Sequence, residues 1–205
     1  MNAFRFDVDY YRRHYRDPRT AVTSRLEMAR RAQFIAAFVE YLDLPVRTIL
    51  DAGCGMGWLR APLRRALPRA RYVGLEASEY LCRRFGWLSG SIATHRPRAP
   101  YDLLVCYDVL QYLDDREAAR AMANIARLAR GALYFSALTR EDWEQHCDRS
   151  RTDGAVFLRD AAWYRERLTR HFRAVGGGLH LRRGLNVHQW ELERVPAVRG
   201  WARRA

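Results

Sequence analysis

The chain contains no lysine: all 36 of its basic residues are arginine, set against 23 acidic ones, for a formal net charge of +13. Such a charge attracts polyanions, because basic side chains neutralise phosphates and release counterions. The exclusive use of arginine, with abundant alanine beside it, is equally what biased codon composition produces, so a nucleic-acid partner ranks below a small molecule. No apolar run approaches the roughly 20 residues that span a bilayer, and residues Met1–Asp7 carry no apolar segment of the secretory kind. The expectation is a cytoplasmic protein without a membrane partner. The four cysteines, Cys54, Cys82, Cys106 and Cys147, stand singly with no CxxC pair, which excludes a disulfide framework and a zinc site. Repeats and low-complexity tracts are absent. What 205 residues with 49% hydrophobic content do supply is the core of one domain.

The stretch Tyr10–Arg19 reads as an irregular, aromatic and basic arm. Ser24 with Glu27 forms a capping-box pattern ahead of Leu26, Ile35, Phe38, Val39 and Leu42 at helical spacing, and Pro45 ends that helix. From Thr48 the pattern changes to short apolar runs alternating with helical segments. Strands are expected at Thr48–Leu50, Tyr72–Leu75, Gly90–Ala93, Asp102–Cys106, Ala132–Phe135, Phe172–Val175 and Val187–Leu192. Helices are expected near 58–67, from Ser78, after the Asp114/Glu117 capping pattern up to a stop at Gly131, and over 159–170. Strands alternating with helices make βαβ units, hence an α/β fold with a mostly parallel sheet and helices on both faces. The two closing strands lack a helix between them, so the last is expected to run antiparallel. The division is an N-terminal arm and helix over 1–45 capping the site, a main domain over 46–195, and a flexible tail over 196–205.

In an open sheet of this kind ligands bind beyond the carboxyl ends of the strands. Asp51-Ala52-Gly53-Cys54-Gly55-Met56-Gly57 lies at such an end, where glycines let backbone approach a ligand. The dinucleotide fingerprint G-x-G-x-x-G would need glycine at 58, and Trp58 stands there. Glu76 ends the next strand, where a carboxylate can accept hydrogen bonds from ribose hydroxyls.

These residues resemble a known family. Thr48–Gly57 is similar to motif I of the class I S-adenosylmethionine-dependent methyltransferases, Tyr72–Ser78 to their second motif, and Tyr101–Leu113 to their strand-four motif. The resemblance implies a Rossmann-like seven-stranded sheet with an antiparallel last strand, and S-adenosylmethionine as cofactor. By position it implies that Gly53, Gly55 and Gly57 carry the methionine part and that Asp51 orients it. Glu76 would hold the ribose. Cys106 would offer backbone to the methionine ammonium, with Asp108 and Val109 alongside. Many relatives place an acid after the third strand for the adenine amine. Here the chain reads Gly90-Ser91-Ile92, so Ser91 and Ile92 take that place. Tyr11 and Tyr15 of the arm are expected over the cofactor.

A sulfonium is already an activated methyl donor, so a general base is optional and no fixed catalytic motif is expected. Asp108, Tyr112, His146 and His188 are the candidates, and Arg149 and Arg151 in the polar 143–154 connection are candidates for an acidic substrate. The function so implied is methyl transfer to a small molecule. The alternatives are an RNA or protein methyltransferase using the basic surface, and a cofactor-binding relative that no longer transfers methyl.

Overall fold

The structure, a computed structural model, describes residues 6–195; the 196–205 stretch expected to form a tail lies outside the described residues. Seven strands form one sheet: β1 (Thr48–Ala52), β2 (Arg71–Glu76), β3 (Leu88–Ser89), β4 (Tyr101–Tyr107), β5 (Ala129–Ser136), β6 (Phe172–Gly176) and β7 (Leu179–Arg182). Their order is β3-β2-β1-β4-β5-β7-β6. β1 to β5 pair in parallel, while β7 runs antiparallel to both of its neighbours. The chain crosses from β3 on one side of β1 to β4 on the other, and that reversal opens a crevice above the carboxyl ends of β1 and β4.

Alternation along the strands explains the two layers. Ile49, Leu103, Val105, Ala132 and Tyr134 face one side and pack on α2 (Arg25–Tyr41) and α3 (Arg60–Ala66). Leu50, Leu104, Cys106, Leu133 and Phe135 face the other and pack on α5 (Asp115–Leu128) and α7 (Ala161–Thr169). Strands covered on both faces read as continuous apolar runs, which is why β4 and β5 stand out in the sequence. The remaining α-helices are α1 (Val8–Tyr11), α4 (Glu79–Phe85) and α6 (Arg140–Gln145); α1 and α4 share a third apolar cluster through Tyr11 and Leu81. Pro62 occupies the third position of α3, inside the first turn, where no helical bond is lost. No helix among the described residues is long and apolar enough to cross a membrane.

Several sequence expectations are corrected. The 10–19 arm is not irregular: α1 is followed directly by a five-residue π-helical turn, Arg12–Arg16. Ser24 caps α2 through the Glu27 amide (3.1 Å), but the Glu27 carboxylate takes the Thr23 hydroxyl and Arg31. Leu26 is exposed on α2, away from the apolar stripe. The strand expected at Gly90–Ala93 lies at Leu88–Ser89, and Ser91 opens a turn. Gly131 is not a helix stop. It lies within β5 at a register shift opposite β4, where any Cβ would collide with the Asp102 carbonyl oxygen. The last strand is Leu179–Arg182, while Val187–Leu192 runs as an irregular segment into a short 3₁₀ turn.

Candidate active site

Three left-handed glycines, Gly53 (φ 72°), Gly55 (φ 51°) and Gly57 (φ 70°), turn the chain between β1 and α3. Their loop is fixed from two sides. Glu76, at the end of β2, accepts the Gly55 amide on Oε2 (2.8 Å) and the Ala77 and Ser78 amides on Oε1 (2.8 and 2.9 Å). Trp87 lies against Gly57 so closely that a Cβ there would meet its indole, and its Nε1 donates to the Gly55 carbonyl at 3.0 Å. A carboxylate has about four acceptor positions, so Glu76 keeps about one open; it borders a cleft beneath the N-terminal segment.

Gly53, Gly55, Glu76, Ser91, Ile92, Asp108, Val109, Tyr11, Tyr15 and Tyr112 all border that inner cleft. Phe6, Tyr10, Ala77, Gly90 and Leu113 complete it; all but Phe6 belong to segments singled out in the sequence, though none of the five is named there as a site residue. Ala77 and Gly90 each adjoin a residue that is named, Glu76 and Ser91. Three expected residues do not border it. Asp51 is buried beneath the loop, where it receives the Tyr72 hydroxyl. Gly57 is turned to Trp87. Cys106 is fully buried because β4 continues to Tyr107, which leaves Cys106 inside the ladder opposite Ala52 and Phe135.

The roof comes from residues 6–16. The Phe6 carbonyl accepts the Ser78 hydroxyl at 2.5 Å, and the Phe6 ring meets Tyr10 and Tyr112 edge-on. The Tyr10 and Tyr112 hydroxyls lie 3.0 Å apart. Of the 1–45 stretch expected to cap the site, α2 instead packs on the sheet, and only the segment before it stands over the cleft. The wall formed by the 3₁₀ turn Leu110–Tyr112 is held by Arg159, which is 5% exposed. That guanidinium donates to the Leu110 and Leu113 carbonyls (3.1 and 2.6 Å) and to Asp115 (3.0 Å).

Asp108 is the junction of the site. It has φ 55°, unusual for a side chain other than glycine, and its amide donates to the Ser136 carbonyl at 3.0 Å. With Tyr15 it borders the inner cleft and also an outer cavity of about 380 Å³. Tyr112, His146, Arg151, Gln111 and Asp142 line the outer cavity too. His188 does not join them: it is exposed beyond β7 against Trp190. Arg149 also turns away, donating to the Trp143 carbonyl at 3.2 Å and lying over its ring.

The electrostatics invert those of the whole molecule. Within a chain of net charge +13, this region gathers the carboxyls of Asp51, Glu76 and Asp108, all pushed upward by burial. Asp51 rises to about 7 and Asp108 to about 6, the latter despite the hydrogen-bonding influence of Tyr107 and the nearby Arg31. Loss of solvent makes each anion costly, and a bound cation would relieve that cost. Left-handed backbone, a backbone-clamped carboxylate and surplus negative charge fit a nucleoside that carries a sulfonium and an ammonium.

Asp51 yields a pH test. Its folded value lies above the unfolded one of about 3.9, so the folded state binds the extra proton between the two. The stability associated with Asp51 is therefore complete below about pH 4 and lost as pH rises toward 7, by at most about 1.4 kcal/mol per pH unit. Urea unfolding of the ligand-free protein at pH 5 and pH 8 is expected to show a smaller fall for Asp51→Asn than for the wild type. Equal falls would remove Asp51 as the source.

A doubly wound α/β domain with its cleft at the topological switch point is a nucleotide-binding class of architecture, and comparison with known proteins narrows it. Residues 50–131 match the family model described as a methyltransferase domain. Trans-aconitate 2-methyltransferase of Azoarcus sp. (strain BH72) is 29% identical over 167 residues, covering 72% of this chain; the chain spans 64% of that relative's length. Magnesium protoporphyrin IX methyltransferase from Synechocystis PCC 6803, solved with bound S-adenosylhomocysteine, superposes with a TM-score of 0.60 at 20% identity, over 85% of this chain and 93% of that one. The N-methyltransferase NodS from Bradyrhizobium japonicum WM9, in complex with the same compound, gives 0.58 at 18% identity over 89% and 98%. Over residues 50–131 the chain is thus similar to methyltransferase domains, and it shares its fold with the two solved methyltransferases.

Proposed function

We propose that this protein transfers the methyl group of S-adenosylmethionine to a small-molecule acceptor in the cytoplasm, with residues 46–195 as the methyltransferase domain and the 6–16 segment as its roof. One observation carries this reading: Asp108 and Tyr15 border the inner cleft and the outer cavity at once, so a donor in the first faces an acceptor in the second. When bound, S-adenosylmethionine supplies an activated methyl on a positively charged sulfur. The chain's residues then have to orient, exclude water and take up a proton. Gly53 and Gly55 would carry the methionine part on their backbone, and Glu76 would accept from the ribose through the open side of Oε2. Ser91 and Ile92 would flank the adenine, with the Ser91 hydroxyl in the place of an acid. Val109 would pack beneath it, and Tyr11 and Tyr15 would close the roof. Asp51 would act on the loop from below, through charge. Asp108 stands where an acceptor's proton would leave.

The relatives named for trans-aconitate and magnesium protoporphyrin IX support a small acceptor. The basic surface supports a polyanion less, since two of its arginines are already engaged, Arg83 by Glu79 at 3.2 Å and Arg182 by the Ala126 carbonyl. Calorimetry is expected to detect S-adenosylhomocysteine binding, and methyl-tritiated S-adenosylmethionine is expected to label the low-molecular-mass fraction of a cell extract. No binding would overturn the reading, and label confined to RNA or protein would transfer it to a macromolecular acceptor.

A further inference from the structure

Beyond Asp108 the outer cavity presents groups not yet accounted for. Gln111, in the middle of the 3₁₀ turn, is 3% exposed and lines the cavity, and its Oε1 has no hydrogen-bond partner. A buried oxygen without a donor costs free energy that a ligand N–H would recover. The Gln111 amide also favours the charged form of Asp108, and both residues line the cavity. The lining therefore offers two acceptors, the Asp108 carboxylate and the unpartnered Gln111 Oε1. A hydroxyl brings a single hydrogen and satisfies one of them, whereas an amine brings enough for both.

Another part of the lining asks for the reverse. Arg151 donates from Nη2 to the Pro18 carbonyl at 2.8 Å, and its buried Nε has no partner. That end suits an oxygen acceptor. Besides Asp108, the lining carries three carboxyls: Asp142, which caps α6 with Thr139, Asp148, which accepts from Ser150, and Asp153, which accepts from the Ala155 amide.

We propose that the acceptor is a primary or secondary amine that also carries a hydrogen-bond-accepting oxygen, as an amino acid or an amino sugar does. Its nitrogen lies between Gln111 and Asp108, and its oxygen points to Arg151. This rests on the methyl-transfer reading and names its substrate class. The bound ammonium gives a proton to Asp108, which frees the nitrogen lone pair. That pair forms the bond to the methyl carbon while the carbon–sulfur pair stays on sulfur, leaving S-adenosylhomocysteine. The proton on Asp108 passes to water. A polycarboxylate would instead meet Asp108, Asp142, Asp148 and Asp153 with one guanidinium to offset them.

The test gives the protein methyl-tritiated S-adenosylmethionine with an equimolar mixture of two pools. One holds the protein amino acids, glucosamine and galactosamine; the other holds citrate, trans-aconitate and benzoate. The expected product is alkali-stable label retained by a cation exchanger. Alkali-volatile label from a methyl ester, stable label that passes the exchanger, or no label would each overturn the proposal. S-adenosylhomocysteine calorimetry runs beside it, and absence of that binding marks failure of the methyl-transfer reading itself. Gln111→Leu is expected to raise KM for the labelled amine about tenfold. Its S-adenosylhomocysteine affinity should not change, because Gln111 does not border the inner cleft. An unchanged KM overturns the proposal as well.

Discussion

Glu76→Ala is expected to weaken S-adenosylhomocysteine binding about 100-fold, or about 2.7 kcal/mol. Two losses combine. The ribose hydroxyls lose a charged acceptor, and bonds to a charged group contribute about 1.5–3 kcal/mol each. The loop also loses its clamp, because the same carboxylate receives the amides of Gly55, Ala77 and Ser78. With the clamp gone, Gly55 is no longer fixed at the cleft, and three donors must find water. The free protein should therefore unfold more easily as well, which would obscure the binding result if this variant stood alone. Glu76→Gln separates the two losses. Its side-chain oxygen can keep the Ala77 and Ser78 amides, but its NH₂ then faces both the Gly55 N–H and the ribose. It should melt close to the wild type and still bind about tenfold more weakly. Calorimetry on the wild type and both variants, with melting curves alongside, checks this. Wild-type affinity in Glu76→Ala would remove Glu76 from the site.

The strand-end residues were legible because their positions follow from alternation and from where apolar runs meet glycine or acid. Ile49 and Leu50, or Leu103 and Leu104, had to face opposite layers once both runs were buried, and the residues after them had to emerge at one edge of the sheet. The final hairpin misled for a specific reason. Val187–Leu192 carries apolar residues at 187, 190 and 192 as a strand could, but it does not pair with β6, the strand at that edge of the sheet. The place beside β5 is already taken by Leu179–Arg182, which follows β6 through a two-residue turn at Gly177 (φ 58°) and Gly178 (φ 82°). A Gly-Gly pair is the signature of that tight hairpin. Read as a spacer, it pushed the strand eight residues too far along.

What stayed hidden in the site depends on distant partners. The Tyr10–Tyr112 contact joins residues 102 apart in sequence, and no local pattern announces it. Trp87 under the glycine loop and Arg159 behind the Leu110–Tyr112 turn are likewise supporting residues whose roles arise only when the strands are assembled. Gln111 sat inside a motif already singled out, yet only its burial and unpartnered oxygen set it apart from its neighbours.

Asp108→Asn is expected to lower kcat about 100- to 1000-fold, within the range for loss of a general base, while S-adenosylhomocysteine still binds. Asparagine is the informative substitution. Asp108 holds φ 55°, a conformation that asparagine tolerates and β-branched residues do not, so the turn between β4 and the Leu110–Tyr112 segment should survive. The variant keeps an oxygen acceptor and loses the capacity to hold a proton. The pH profile then separates a catalytic role from a structural one. Burial pushes the Asp108 carboxyl up to about 6, while the Tyr107 hydroxyl, the Gln111 amide and the Arg31 guanidinium pull the other way. The active form is the carboxylate, so wild-type kcat/KM should rise with pH through about 6, or through a lower value once a sulfonium lies alongside. The asparagine variant should lack that limb altogether. If it turns over at the wild-type rate, or keeps the same limb, the proton leaves by another route and Asp108 serves only to shape the turn.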